Sequence, residues 1–204
     1  MAKLQTTDTI APVKQQAATQ SKTTAGKRTV KTKEKVTKTL DDLFVEELNN
    51  IYDAEKQLIE ALQVMAKATY NESLQEAFDS HLEQTKRQVE RLEKVFDRLR
   101  IDRNEEQKCE AMKGLVTECN RIIDEFETTP VRDSALIIGV QKIEHYEIAS
   151  YGSLCELADV LGYTKIAELL DRSLEEEETT DKNLTVIAQD INDMAFELEH
   201  EEVM

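Results

Sequence analysis

Residues 141–152 read QKIEHYEIASYG and combine a helical apolar stripe with two acidic residues on the same face. Ile148 and Tyr151 belong to the stripe, whose members recur at steps of three and four residues. Glu144 and Glu147 follow the same spacing, so they point in the same direction. Burying unpaired carboxylates in an apolar core is strongly unfavourable. These glutamates therefore need one another or a cation.

Helical spacing continues on both sides of this segment and predicts five helices. Thr39 with Asp42 has the spacing of a capping box, as does Ser73 with Glu76, and Gly162 suits a left-handed helix end. The predicted helices cover roughly 40–68, 72–100, a crossover helix of about 19 residues after Gln107, 131–160 and 164–198.

The composition favours a single all-α domain. The chain of 204 residues is 40% hydrophobic, enough for one core, and its two prolines and five glycines argue against a sheet rich in turns. It shows neither an apolar run long enough to cross a bilayer nor a signal-peptide core. Cys109, Cys119 and Cys155 are scattered without CxxC spacing. We therefore expect a protein of the reducing cytoplasm that does not bind membranes.

The formal charge of −16 is divided unevenly along the chain. Residues 1–38 carry nine Lys and Arg against two acidic residues, a balance of +7, which leaves −23 on the remainder. Because this tail has few large apolar groups, we predict that it is disordered. The bundle is predicted at 39–198 and an acidic end at 199–204. The acidic body would repel nucleic acid, so we do not expect it as a partner. The basic tail can bind phosphates, however, and leaves this alternative open.

The connections predict a ferritin-like up-down four-helix bundle with a long crossover that carries a fifth helix. Short links at 69–72 and 161–163 require two antiparallel hairpins, whereas the long link can return the chain to the other end. With a rise of about 1.5 Å per residue, Glu55 and Gln84 lie at one level of the bundle. Glu144 reaches that level if the fourth helix starts beside the first hairpin.

Polar side chains interrupt the inward stripe of each of the four long helices near this level. Matching interruptions are typical of a site built inside a helical bundle. The interrupting residues are Glu55 on the first helix, His81, Gln84, Thr85 and Gln88 on the second, Gln141, Glu144 and Glu147 on the fourth, and Glu177, Thr180 and Asp181 on the last.

A cluster of carboxylates repels itself at neutral pH, and bound cations neutralise it most simply. Oxygen-rich ligands with one imidazole suit Fe or Mn better than Zn or Cu, whose usual sites draw on thiolate and imidazole. We therefore predict a centre of two Fe or Mn ions that could react with oxygen or peroxide. The predicted ligands are Glu55, His81, Gln84, Glu144, Glu147, Glu177 and Asp181.

These residues also have structural interpretations. A histidine on an apolar stripe is more often a hydrogen-bonded core residue than a ligand, and Glu147 or Asp181 can be an acceptor around the ligands. His145 lies one step off the stripe and is predicted to face a neighbouring helix or a dimer partner. Tyr151 can tune a metal or fill the core with its hydroxyl satisfied.

Four motifs resemble the YciF/YciE family of bacterial ferritin-like stress proteins over about residues 39–192. They are YDAEKQL at 52–58, HLEQT at 81–85 with Gln88, the segment 141–152, and LEEE at 174–177 with Thr180 and Asp181. The resemblance implies a rubrerythrin-like four-helix domain with an additional helix, a homodimer and a di-metal centre. It implies little about the reaction.

The chain departs from the ferritin-like pattern at two places. Most ferritin-like proteins carry Glu-x-x-His on the second and last helices, whereas here Phe78 stands three residues before His81 and Thr180 three after Glu177. Gln84 stands where the resemblance leads us to expect Glu, and a neutral amide is a poorer ligand. The predicted site is therefore asymmetric or holds one metal weakly.

Three functions remain open on the sequence alone. The first is a di-iron or di-manganese oxidoreductase or peroxide scavenger that acts in stress. The second is a metal-buffering protein on the same scaffold, and the third is a non-catalytic dimeric stress protein whose polar core is a hydrogen-bonded network. The small-molecule substrate is unknown. No flavin or nicotinamide motif is visible, so we expect any electron donor to be a separate protein.

Overall fold

The computed structural model describes residues 37–201, within which the chain forms five α-helices and no strands. The helices are α1 (Leu40–Ala68), α2 (Glu72–Leu99), α3 (Glu110–Glu125), α4 (Pro130–Val160) and α5 (Thr164–Glu201). In this part of the chain, no helix is both long and apolar enough to span a membrane. The predicted tail disorder falls on residues that lie outside the description, apart from positions 37 and 38.

Local capping chemistry explains where the first two helices begin. Thr39 caps α1 as predicted: its hydroxyl accepts from the Asp42 amide at 3.1 Å, and its own amide donates to Asp42 Oδ2 at 2.9 Å. The predicted capping role of Ser73 is wrong, because Asn71 caps α2. Asn71 Oδ1 accepts from the amides of Ser73 at 2.9 Å and Leu74 at 3.2 Å. A short Asn side chain reaches these amides, which places Ser73 inside the first turn.

The crossover helix is shorter than predicted. Helix α3 has 16 residues, because Cys109 already serves as its N-cap and the chain leaves the helix at Phe126. The Cys109 sulfur accepts from the Met112 amide at 3.3 Å. Helix α5 continues to Glu201, three residues beyond the predicted end. Gly162, with φ of 80°, provides the predicted left-handed turn between α4 and α5.

Two sets of hydrogen bonds fix the order of the helices. Tyr163, in the loop between α4 and α5, donates to Asp41 Oδ1 at 2.9 Å, so this loop lies beside the start of α1. Asp133, near the start of α4, accepts from the amides of Tyr70 and Asn71 in the α1–α2 loop. The crossover therefore returns the chain to the first hairpin. The prediction of an all-α four-helix bundle with a fifth helix in the crossover is confirmed.

Helix α3 lies on the outside of the bundle against α1 and α4. It approaches α4 closely at Gly139, where an added Cβ would lie 2.8 Å from Cys119 Sγ. A larger residue at position 139 would therefore force the Cys119 side chain or one of the two helices to shift. The remaining core is built from aliphatic and aromatic side chains such as Leu48, Phe78 and Leu154.

Candidate metal centre

The bundle core contains four buried glutamates and one buried histidine from four helices, which we call the core cluster. Glu55 comes from α1, His81 from α2, Glu144 and Glu147 from α4, and Glu177 from α5, and none is more than 2% exposed. Ligand-type atoms from the last four residues all lie within 4.8 Å of one another. The helical periodicity that buries one face of each helix thus brings these four groups to one place. Glu55 lies outside this close group and is linked to it through the charges of Glu177 and Glu147.

His81 contacts carboxylates from both helices of the second hairpin. Its Nδ1 lies 3.3 Å from Glu144 Oε1, and its Nε2 lies 3.4 Å from Glu177 Oε2. Glu144 and Glu147 are three residues apart on α4, so their carboxylates are neighbours on its inner face. The imidazole therefore lies among carboxylates rather than among the apolar side chains that surround the cluster.

Most polar atoms of the core cluster have no hydrogen-bond partner among the described residues. These atoms are Glu55 Oε2, both ring nitrogens of His81, both carboxylate oxygens of Glu144 and of Glu147, and Glu177 Oε2. Buried polar atoms in folded proteins are nearly always paired. Their convergence therefore calls for protons or cations, and the donor set fits a metal site.

Burial raises the pKa of Glu55, Glu144 and Glu147 well above the usual value of a glutamate. Repulsion from neighbouring carboxylates raises it further, chiefly from Glu177 on Glu55 and Glu144, and from Glu55 on Glu147. The protein without metal therefore favours protonated carboxyls in its core. A bound cation would act in the opposite direction and favour the carboxylates.

Hydrogen bonds from neighbouring side chains hold two of the carboxylates. Tyr151 donates to Glu55 Oε1, and Gln88 Nε2 donates to Glu177 Oε1. Each bond occupies one oxygen and leaves the other facing the core cluster without a partner. The carboxylates are therefore oriented before any ligand binds, which reduces the entropy cost of forming a site.

Arg91 lies beside the cluster, although the sequence pattern did not mark it as a site residue. Its guanidinium makes two bonds of 2.9 Å to the Glu176 carboxylate and one of 2.6 Å to Ser173 Oγ. This pair joins α2 to α5 next to Glu177, and the positive charge lowers the pKa of Glu55 against the larger effects of burial and repulsion. The spacing contained a signal, because Arg91 follows Gln88 by three residues on the same helix face.

Two predicted ligands lie at the edge of the cluster. Gln84 is half-buried, and its Oε1 is 3.5 Å from the hydroxyl of Thr180. Asp181 is also half-buried; it accepts from Gln141 Nε2 at 3.1 Å and lies 3.4 Å from His145 Nε2. Ligation by these two residues stays a prediction. The exposed His145 faces the neighbouring α5, one of the two directions that the sequence allowed.

The chemistry of the donor set is oxygen-rich with one imidazole. Cys109, Cys119 and Cys155 are free thiols, and none of them belongs to the group of potential ligands. Carboxylate-rich sites suit Fe and Mn, whereas thiolates would favour Zn or Cu(I). The residues therefore fit the metals that the sequence predicts.

Residues 39–196 match the family described as "Domain of unknown function (DUF892)". Among characterised sequences, protein YciF of Escherichia coli K12 is 51% identical over 154 residues, which is 74% of this chain and 91% of that protein. This family match agrees with the resemblance seen in the motifs.

Solved structures give the same relationship. The crystal structure of the E. coli stress protein YciF aligns with a TM-score of 0.74 at 47% identity and covers 77% of this chain and 99% of that chain. YcfI from Rhodopseudomonas palustris aligns with a TM-score of 0.70 at 36% identity, covering 72% of this chain and 94% of that one. A Xanthomonas campestris protein, at 20% identity and a TM-score of 0.63, shares the fold and covers 79% of this chain and 99% of that one.

Proposed function

The chain belongs to the DUF892 family of YciF-like proteins, and we propose that it is a stress-response protein whose core cluster holds two Fe or Mn ions. The observation that carries this proposal is the convergence of partnerless buried carboxylate oxygens and imidazole nitrogens. These atoms are buried from bulk solvent, and Arg91, the cation beside the cluster, is already paired with Glu176. Metal cations are therefore the most effective counter-charge.

Under this proposal Glu55, His81, Glu144, Glu147 and Glu177 hold the ions, and Gln84 and Asp181 at the edge of the cluster complete the set of ligands. A bound Fe or Mn pair would supply one-electron redox chemistry toward oxygen or peroxide. The chain's own contribution is to position the ligands, to exclude bulk water and to keep protons near them.

Three side chains support the site without being ligands in this proposal. Gln88 orients Glu177, and Arg91 fixes the adjacent Glu176. The Tyr151 hydroxyl donates to Glu55. Burial raises the pKa of this hydroxyl, and the negative charge of Glu55 raises it further. The tyrosine therefore donates to the carboxylate at neutral pH.

We further propose a cytoplasmic homodimer that receives electrons from a separate protein. Scattered free cysteines support a reducing compartment, and the family resemblance supports the dimer. The acidic body supports a role without nucleic acid. Light scattering of the full chain would test the dimer.

Elemental analysis of the full chain, purified without a metal-affinity tag, tests the metal site. We expect two Fe or Mn ions per chain, and Glu177→Gln should reduce that number. Glu178→Gln is the matched control, because Glu178 is the next residue on α5 but is exposed and pairs with Lys182. A chain that binds no metal and whose melting temperature does not change on chelation would overturn the proposal.

A second candidate function is a non-catalytic or metal-buffering protein. The description of YcfI proposes a structural role for that relative, and the Tyr151 and Gln88 bonds could maintain a polar core without turnover. Consumption of hydrogen peroxide by the metal-loaded protein separates the two candidates. Loading with two ions but no turnover would favour the second.

A further inference from the structure

A small pocket in the seam between α2 and α5 ends at the core cluster. Phe78, Ser80 and His81 of α2 line it on one side and Asn183 of α5 on the other, and its volume is about 80 Å³. His81 is only 2% exposed, so the pocket reaches the edge of an otherwise buried ring. A space of this size holds a few water-sized molecules.

Gln84 and Thr180 face each other across the seam and also line this pocket. Thr180 Oγ1 lies 3.5 Å from Gln84 Oε1 and donates to the Glu176 carbonyl at 3.1 Å. Both side chains are half-buried, whereas their chain neighbours Glu83 and Thr179 are exposed. The pair therefore forms a partly solvent-exposed section of the pocket wall that also includes the imidazole.

The pocket has no formally charged side chain in its wall apart from the titratable His81. Two larger pockets among the described residues, of about 510 and 410 Å³, are lined mainly by Glu, Asp and Lys. An anion entering the seam would find no lysine or arginine in the wall to pair with, and a large molecule would not fit. The wall therefore favours small, uncharged, hydrogen-bonding molecules.

We propose that this seam is the entry to the core cluster and admits uncharged molecules of a few heavy atoms, a class that includes hydrogen peroxide. Gln84 and Thr180 set the size limit. The identity of peroxide as the ligand rests on the proposed function. The route itself does not, because it is open to test in the metal-free protein.

Labelling of histidines in the chelated full chain tests the size limit. Diethyl pyrocarbonate is a bulky reagent that acylates neutral imidazoles, and the chain has three histidines. We expect the exposed His145 and His200 to be labelled and His81 to be protected. Gln84→Ala and Thr180→Ala should each raise labelling of His81 several-fold, as read by peptide mass spectrometry.

Gln141→Ala is the matched control, because it removes the same side chain from the α4–α5 seam, where Gln141 bonds to Asp181. Labelling of His81 should stay low in this variant. The proposal is overturned if Gln141→Ala exposes His81 as strongly as Gln84→Ala does. It is equally overturned if neither seam variant exposes His81 while both melt cooperatively.

Deuterium exchange at the imidazole C2 position tests entry of a small molecule. In D₂O the wild-type His81 should exchange, and Thr180→Phe, which fills the seam, should slow exchange several-fold. Thr179→Phe on the exposed side of α5 should leave it unchanged. Equal exchange rates in folded Thr180→Phe and Thr179→Phe would show that the seam is not the route. If Thr180→Phe does not fold, the labelling of His81 in Gln84→Ala and Thr180→Ala decides the question. The labelling and exchange experiments use the metal-free chain and test only the seam. A chain without bound metal in the elemental analysis would therefore overturn the proposed function but not the seam.

Discussion

The Tyr151 hydroxyl of α4 donates a hydrogen bond to Glu55 Oε1 of α1, and both side chains are completely buried. This bond joins the two hairpins through the core rather than through a loop. It also determines which oxygen of Glu55 is left for the core cluster, because Oε2 has no partner among the described residues. The tyrosine thus both orients the carboxylate and stabilises the bundle.

Tyr151→Phe should destabilise the metal-free protein by about 1–3 kcal/mol, because it leaves both oxygens of a buried carboxyl without a donor. Urea unfolding followed by circular dichroism measures the free energy of unfolding. Tyr70→Phe is the control, since the Tyr70 side chain is largely exposed and should tolerate loss of its hydroxyl. Equal stability of the two variants would show that the Tyr151 bond contributes little.

The raised pKa values of the core glutamates predict an unusual dependence of stability on pH in the chelated protein. Burial, and then carboxylate repulsion, raise the pKa of Glu147 above 4.5, so the folded state binds a proton more tightly than the unfolded chain. The stabilising contribution is therefore complete below pH 4.5 and is lost as the pH rises through the raised value.

Comparison with Glu147→Gln isolates this effect, since glutamine resembles the protonated acid. The variant should match the chelated wild type in acid and melt at a higher temperature at neutral pH. With metal added, the order should reverse, because glutamine is a poorer ligand. Glu156→Gln, an exposed change on the same helix, should follow the wild type throughout. A melting-temperature difference that does not vary with pH would contradict the prediction.

The sequence could predict the helices and most of the cluster because both depend on periodicity. Glu55, Glu144 and Glu177 fall on apolar stripes, and the rise per residue placed them at one depth. Gln84 and Asp181 were harder to place, because a step of three or four residues rotates a side chain by about 60° or 40° around its helix axis and moves it one turn. That rotation brings both to the edge of the cluster.

Contacts between helices were not readable from the sequence, because they depend on side-chain direction across the core. Periodicity identified Tyr151 as inward but could not say that its hydroxyl meets Glu55. Likewise, the spacing of Ser73 and Glu76 satisfies a capping box, yet the helix begins earlier because Asn71 accepts from the amides of Ser73 and Leu74. The capping pattern predicted the helix start correctly at Thr39, where no other described residue nearby caps the helix.

Asp133→Ala should loosen the loop between α1 and α2. The Asp133 carboxylate accepts from the Tyr70 amide at 2.9 Å and the Asn71 amide at 2.7 Å, which leaves both donors unpaired when it is removed. We expect a loss of about 1–3 kcal/mol in unfolding free energy. Hydrogen exchange at the two amides should accelerate more than exchange in α5. Asp124→Ala, on the exposed face of α3, is the control.

Gly139→Ala should destabilise the contact between α3 and α4, because the new methyl would lie 2.8 Å from Cys119 Sγ. Cys119 is buried, so its sulfur cannot swing into solvent, and we expect a cost of about 1–3 kcal/mol. Replacing Cys119 by alanine as well removes the clashing atom. The double variant should therefore be more stable than the sum of the two single changes predicts.

Gly152→Ala on the same helix has the opposite expectation, since nothing lies within 4 Å of its added Cβ. That variant should gain about 0.5–1 kcal/mol from the lower entropy of the unfolded chain. Chemical denaturation of the four variants measures both effects in one series. If Gly139→Ala were as favourable as Gly152→Ala, the close approach of α3 to α4 would not limit the size of residue 139. If the changes in unfolding free energy of Gly139→Ala and Cys119→Ala simply add in the double variant, then the new methyl does not clash with the Cys119 sulfur.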